Sequence, residues 1–289
     1  MKKVMAAYGE LCKIRISVFS ALSATTGFVL AAGGVKPPLL ILAFGIFLLA
    51  CGSGALNQYQ ERDTDALMER TKVRPLPSGR ILPRKALCFS LMLIFWGSSS
   101  LLLTGSLPAF VLGLSAVLWY NGVYTPLKRK TAFAVVPGAL IGAIPPAIGW
   151  VTGGGRAEDP KLLVLCFFFF MWQIPHFWLF VLNHGDEYRT AGLPSLTAVF
   201  SRRQLQRIVF TWVAAAAVSS LFLFAGGAIR NPVLIVLIPA LSAWLFWNGA
   251  KLLKDGRDEF ICSFAFRRIN VYMFILMVSL TLDRLFGGS

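Results

Sequence analysis

Charge is sparse in this chain, and acidic residues are the scarcer sign. Thirteen Asp and Glu stand against 28 Lys and Arg in 289 residues, only 14% of positions are charged and 56% are hydrophobic. A soluble domain of that composition could not cover itself with a solvated surface, which excludes the ordinary cytosolic classes. Histidine is nearly absent, with His176 and His184 alone. The five cysteines (Cys12, Cys51, Cys88, Cys166 and Cys262) are scattered without a CxxC pair, which argues against both a zinc site and a disulfide framework. The apolar runs show no period-two alternation, so a transmembrane β-barrel is excluded as well. The amino terminus carries neither a short cleavable apolar segment nor an Arg- and Ser-rich transit peptide, and the chain reads as a mature, bacterial one.

What remains is long apolar runs. Crossing about 30 Å of hydrocarbon takes roughly 20 apolar residues in a helix. Nine stretches qualify: 16–34, 38–57, 85–104, 107–124, 133–151, 161–182, 207–229, 232–250 and 268–286. With no repeat and no low-complexity linker, the expected architecture is an all-α, polytopic bundle forming a single membrane-embedded domain over residues 1–289. When the intervening segments are assigned alternately to two sides, one side collects Lys2, Lys3, Lys13, Arg15 and the loops 58–84, 125–132, 183–206 and 251–267. The other collects only Lys36, Arg156, Lys161, Arg230 and Arg284. The positive-inside rule then places the amino terminus in the cytoplasm and the carboxyl terminus outside, in a bacterial inner membrane. The net charge of +15 is accounted for by orientation and by attraction to anionic membrane lipid, so no nucleic-acid partner is expected.

Two of the basic loops also carry acids, which topology alone does not require. If the second span continues as a helix, Asn57, Glu61 and Asp65 fall at i, i+4 and i+8 on one face while Asp63 points away. Three hard oxygen donors in a stripe suit Mg²⁺, which is typically held by one or two carboxylates together with substrate phosphates. They also suit a plain solvated helix end. The segment Arg70, Thr71, Lys72, Arg74, Pro75, Leu76, Pro77, Ser78, Gly79, Arg80 follows at once, and guanidinium forks match phosphate oxygens. A second basic turn, Tyr124 to Thr131, adds Lys128 and Arg129. In the sixth span Gln173, His176, Asn183 and Glu187 share a stripe, with Asp186 about 100° round the helix and Pro175 placed to kink the row. A polar stripe inside a span faces the bundle interior or a cavity. Glu187 is the better second carboxylate for a metal, and either histidine could meet a ligand or bond another helix. Pro145 and Pro146 interrupt the backbone ladder of the fifth span, which opens space beside a cavity. The run Phe167–Phe170 reads as lipid-facing packing.

These strings resemble the membrane-embedded prenyltransferases of UbiA type, and within them the heme-farnesylating branch. The resemblance is carried by Asn57, Glu61 and Asp65; Met68, Arg70, Thr71 and Arg74 to Gly79; Tyr124, Thr125, Leu127 to Arg129 and Thr131; Gly142, Ala143, Pro145, Pro146, Gly149 and Trp150; and Trp172, Gln173, Pro175, His176 and Phe177 through to Tyr188, Ala191 and Gly192. It covers residues 13–194 in order, and the last third matches only as three further spans. Glu61 and Glu187 stand where that family usually has Asp, Ile14 replaces a Pro, and Ala134–Pro137 departs from a common run. The resemblance implies Mg²⁺ held by Asn57, Glu61, Asp65 and Glu187, and a farnesyl diphosphate whose phosphates meet Arg70, Lys72, Arg74, Lys128 and Arg129. It further implies a heme B acceptor positioned by His176, and a heme A synthase or oxidase as a partner. A quinone or other aromatic acceptor is the rival enzyme reading. A heme-handling transporter is the rival from another class, although no pair of broken midplane helices supports it.

Overall fold

The computed structural model describes residues 2–225, 229, 231–253 and 259–286, and the side chain of Asp186 lies outside the described set. Among the described residues there is no strand. Nine helices there are long and apolar enough to cross a membrane. A short helix α1 (Lys2–Leu11) precedes α2 (Ile14–Ala32), α3 (Pro38–Asp65), α4 (Pro83–Leu103) and α5 (Leu107–Val117). Then come α6 (Leu140–Thr152), α7 (Pro160–Thr190), α8 (Arg202–Ser219), α9 (Pro232–Ala250) and α10 (Glu259–Phe286). The starts follow from local chemistry. Pro38, Pro83, Pro160 and Pro232 each open a helix, where the missing N–H costs nothing, and the Asp159 and Asn231 side chains cap two of them.

Each expected span is present, with its ends moved by a few residues. The second and sixth spans differ most: α3 runs on to Asp65 and α7 to Thr190, so both acidic stripes are helical and emerge from the same end of the bundle. The lipid-facing surface carries Leu40, Leu103, Val236 and Trp247, all highly exposed. Helices α3 and α4 pack together, α2 packs on both α3 and α6, and α10 lies against α2, α7 and α9. The α2–α6 crossing is the tightest. A methyl group at Gly27 would strike the Pro146 carbonyl, and one at Gly149 would strike the Ala24 carbonyl. Small residues allow such approach where lipid supplies no hydrophobic drive for helix association.

Three expectations are corrected. Helix α6 continues through Pro145 and Pro146 instead of being interrupted by them, and Gly27 of α2 packs against the Pro146 carbonyl. The kink in α7 falls at His184 (φ −130°, ψ 18°) rather than at Pro175. The Phe run is not uniformly lipid-facing: Phe168 and Phe169 are buried, Phe168 edge-on to Tyr272 of α10, and only Phe167 of the run is openly exposed. The core and the lipid are equally apolar, so the sequence pattern carries no sign for that choice.

Candidate active site

The last turns of α3 bring Asn57, Glu61 and Asp65 to one end of the bundle, each already engaged. Asp65, 2% exposed, accepts a charge-assisted bond from Arg74 Nη1 at 2.7 Å, and its main-chain carbonyl accepts from Thr71 Oγ1 at 2.8 Å. Glu61 is ion-paired with Lys128. Asn57 accepts from Lys13 Nζ at 2.8 Å through Oδ1 and donates from Nδ2 to Thr125 Oγ1 at 3.0 Å. Glu187 arrives from α7: its Oε2 accepts from the Arg70 backbone N–H at 3.3 Å and lies 4.0 Å from Arg70 Nε. Asp63 and Glu69 point to solvent, as the helical phase required of Asp63.

Loop and helix chemistry explains how the bases reach these acids. Between α3 and α4 the chain folds into turns with Met68, Thr71, Leu76 and Ile81 buried, and Gly79 adopts φ +71°, a conformation open to glycine without a Cβ penalty. That anchored loop holds Arg70 and Arg74 over the acids. On the other flank, α5 passes into a π-helix, Leu118–Tyr124. Asn121 within it accepts from Ser53 Oγ at 2.6 Å and donates to the Gln60 side chain at 3.1 Å. The wide turn sets Thr125 against Asn57 and Lys128 against Glu61. Single π turns of this kind are frequent at functional sites.

Not every predicted phosphate ligand joins. Lys72 pairs with Glu69 at 2.5 Å on the surface. Arg129 sits on the rim, its Nη2 donating to the Gln60 carbonyl at 2.6 Å. One residue was missed: Lys13, read only as a topology signal, is the sole non-glycine at positive φ among the described residues (φ 48°) and reaches Asn57 from the α1–α2 junction. A strained backbone conformation at a ligand mouth is a recurring feature of functional sites. Burial, and then the neighbouring Arg74, push the Lys13 ammonium down to about 7, with Glu61 opposing. Burial likewise lowers Arg70 and raises Tyr188.

Among the described residues no three His, Cys, Asp or Glu side chains converge on one point as a ready metal cage. The donor chemistry nonetheless fits Mg²⁺, which needs only one or two carboxylates when phosphate oxygens complete its shell. A second observation favours an oxygen-rich guest: the buried Nε of Arg70 has no hydrogen-bond acceptor.

A row of aromatic side chains runs inward from these acids. Phe180 stacks beneath the Arg70 guanidinium at 4.9 Å, and Lys128 lies over Tyr124 at 5.1 Å. One turn deeper on α7, His176 rests between Trp172 (4.8 Å) and Phe266 of α10 (4.9 Å), with Nδ1 buried and unpartnered. The Asn270 amide donates to the Phe266 carbonyl at 2.6 Å on the same side. His184 instead shares a hydrogen bond with its own helix at Phe180 O, 2.9 Å, and stacks on that ring. His176 thus holds a buried ring nitrogen without a partner, whereas the Nδ1 of His184 is engaged by its own helix.

Comparison with known proteins identifies the family. The UbiA prenyltransferase family matches residues 20–277. The protoheme IX farnesyltransferase of Geobacter sulfurreducens is 39% identical over 81% of this chain and 84% of its own length. That of Oleidesulfovibrio alaskensis is 34% identical over 98% of each. Among solved structures, a digeranylgeranylglyceryl phosphate synthase superposes with TM-score 0.78 at 16% identity, covering 98% of this chain and 99% of its own. A UbiA homolog from Archaeoglobus fulgidus bound to GPP and Mg²⁺ superposes with TM-score 0.70 at 17% identity, covering 96% and 99%. With the family matched over residues 20–277 and a relative 34% identical along 98% of the chain, this multi-pass membrane chain belongs to the UbiA prenyltransferase family.

Proposed function

We propose that this enzyme transfers the farnesyl group of farnesyl diphosphate to a vinyl group of heme B, with addition of water, giving heme O and diphosphate. One observation carries the reading. Three acid–base pairs from separate segments (Glu61–Lys128, Asp65–Arg74 and Glu187–Arg70) meet at one end of the bundle. They stand above a row of aromatic side chains that ends on His176. The names of the relatives in Geobacter and Oleidesulfovibrio supply the acceptor.

In this scheme Glu61, Asp65 and Glu187, with Asn57 beside them, hold Mg²⁺, while Arg70, Arg74 and Lys128 meet the phosphate oxygens, joined at the rim by Arg129 and not by Lys72, which stays with Glu69 on the surface. Bound there, Mg²⁺ supplies Lewis-acid stabilisation of the charge that develops on the leaving diphosphate. The guanidinium and ammonium groups are aimed at that same charge before reaction begins, which is where electrostatic catalysis gains most. Aromatic faces of Tyr124, Phe177 and Phe180 line the path of the allylic cation and stabilise it without offering a nucleophile. His176 positions the heme so that its vinyl carbon attacks that cation, and water closes the resulting heme cation as the hydroxyethylfarnesyl group.

The whole chain, 1–289, acts as one membrane domain in a bacterial inner membrane. Its acidic and basic mouth and amino terminus face the cytoplasm, its carboxyl terminus lies outside, and heme O passes to a heme A synthase or an oxidase. The test is mass spectrometry of heme after purified protein in detergent is incubated with heme B, farnesyl diphosphate and Mg²⁺. Metal-dependent hydroxyethylfarnesyl heme is the expected product. Unchanged heme beside a prenylated quinone would overturn the acceptor, and no diphosphate release with any acceptor would overturn the reaction.

A further inference from the structure

Helices α9 and α10 part along one seam of the lipid-facing surface. On α9, Leu237, Ala240, Leu241 and Trp244 fall at i, i+3, i+4 and i+7, which is one stripe, and Ile275 of α10 faces it. Ala240 is the short residue among longer ones, and a groove of about 240 Å³ opens over it. That volume is below the roughly 300–1,000 Å³ of a pocket that encloses a whole small molecule. With hydrocarbon and indole as its lining, the groove fits a single acyl chain. It is separate from the site described above, because Ile275 lies half a turn round α10 from Phe266, the residue that packs on His176.

One end of the groove is charged. Arg268, seven residues before Ile275 and so on the same face of α10, places its guanidinium 5.4 Å from the Trp244 ring and 4.6 Å from the Phe264 ring. Lys251, just past the end of α9, reaches that same Phe264 ring at 4.9 Å. Its ammonium donates at 3.3 Å to Oδ1 of Asn248, which is 6% exposed. Among the described residues neither cation is ion-paired with a carboxylate. The shared ring attracts each of them but leaves their mutual repulsion in place, and an anion beside both would relieve it.

Depth in the membrane says which anion. Helix α7 ends at the acid–base mouth, α8 leads away from it and α9 returns, so Lys251 and Arg268 lie on the mouth side, where lipid headgroups begin. Leu237 and Ile275 lie about 10 Å further into the hydrocarbon. Basic pockets between spans bind anionic lipid headgroups, and tryptophan favours the interface.

We infer that this seam binds one anionic phospholipid, with its phosphate between Arg268 and Lys251 and one acyl chain in the groove beside Trp244. The inference draws on neither farnesyl transfer nor heme binding, so its failure would leave the proposed reaction standing.

Quenching of Trp244 tests it. Purified full-length protein is reconstituted in phosphatidylcholine vesicles that carry a variable fraction of lipid brominated on its acyl chains, since bromine quenches an indole it touches. The Trp244 signal is the difference between the wild type and Trp244→Phe, which removes one of eight tryptophans. Half-maximal quenching of that signal should need about 25-fold less brominated phosphatidylglycerol than brominated phosphatidylcholine, at roughly fivefold for each cation. Arg268→Gln should cut the preference about fivefold, and Lys251→Gln, which stands in if the first variant is not monodisperse, should do the same. Equal quenching by the two lipids would make the seam an ordinary lipid-facing crevice and overturn the inference. A preference that survives both substitutions overturns it as well. So does reversal of the quenching by excess inorganic phosphate, which would mark a site for a soluble anion.

Discussion

Arg74 and Asp65, nine residues apart, meet at 2.7 Å with the carboxylate almost fully withdrawn from solvent. The Asp65 main-chain carbonyl is held by Thr71, so the turn that brings Arg74 back and the charge that receives it are parts of one local structure. Removing one partner of a buried ion pair strands the other and costs about 3 kcal/mol or more. Asp65→Ala should therefore abolish turnover, by a factor of roughly 10² to 10³, while the protein still inserts. A Tm measurement in detergent would register the stranded Arg74, and product analysis by mass spectrometry would register the lost activity. Normal turnover in that variant would remove the metal-site argument.

Lys72 and Lys128 make a contrasting pair, since both are basic loop residues and only the second lies inside the cluster. Lys72→Ala breaks an exposed pair with Glu69, and such pairs contribute about 0–1 kcal/mol. Activity and Tm should change little. Lys128→Ala should lower kcat/KM by a hundredfold or so, the scale set by loss of one group stabilising developing charge. Steady-state kinetics on the two variants side by side decide the matter, and equal losses would place Lys72 in the site.

His176 and His184 separate by the same logic. His176→Ala should weaken heme binding, read as loss of the Soret shift on titration with heme, and leave diphosphate binding intact. His184→Ala should leave the heme spectrum unchanged, because its Nδ1 is held by the Phe180 carbonyl and its ring lies against the Phe180 face. The reverse pattern would transfer the heme role to the kink.

The α2–α6 crossing should tolerate no side chain. Gly149→Val places a branched group against the Ala24 carbonyl. Overpacking of this kind typically costs 1–3 kcal/mol, and about the upper end applies where backbone meets backbone. Fluorescence-detected size exclusion after heating should show a clear fall in melting temperature. A wild-type profile would mean that the two helices can separate freely.

Glu10 gives a small pH effect with a definite sign. Its two carboxylate oxygens accept from Arg80 at 3.0 and 2.6 Å, which holds the carboxyl below its ordinary value near 4.5. The contribution is present above that value and is lost as pH falls through the lowered one. Half-exposed as the pair is, it amounts to roughly a few tenths of a kcal/mol. Hydrogen exchange of α1 should be faster in Glu10→Gln at pH 7 and converge with the wild type at pH 3; a difference that grows with acid would reverse the assignment.

Chain-local periodicity determined much of this protein. Apolar run length alone sets nine crossings, loop composition sets which ends share a side, and 3.6-residue spacing sets Glu61 and Asp65 on one stripe with Asp63 turned away. Each is a property of a single helix, and a helix in lipid must satisfy its own backbone, so it forms where the sequence is apolar enough. Tertiary structure decided the rest. Lys13 and Asn57 are 44 residues apart, and only the packing of the α1–α2 junction on α3 joins them. The π turn at Leu118–Tyr124 exists because Asn121 finds Ser53 and Gln60 on another helix, and that turn, not spacing, selects Lys128. The inward turn of Phe168 and Phe169 was not legible in the sequence, because a membrane protein offers apolar surroundings on both sides of a helix. Hydrophobicity then says nothing about direction, and the close fit of neighbouring helices determines it instead.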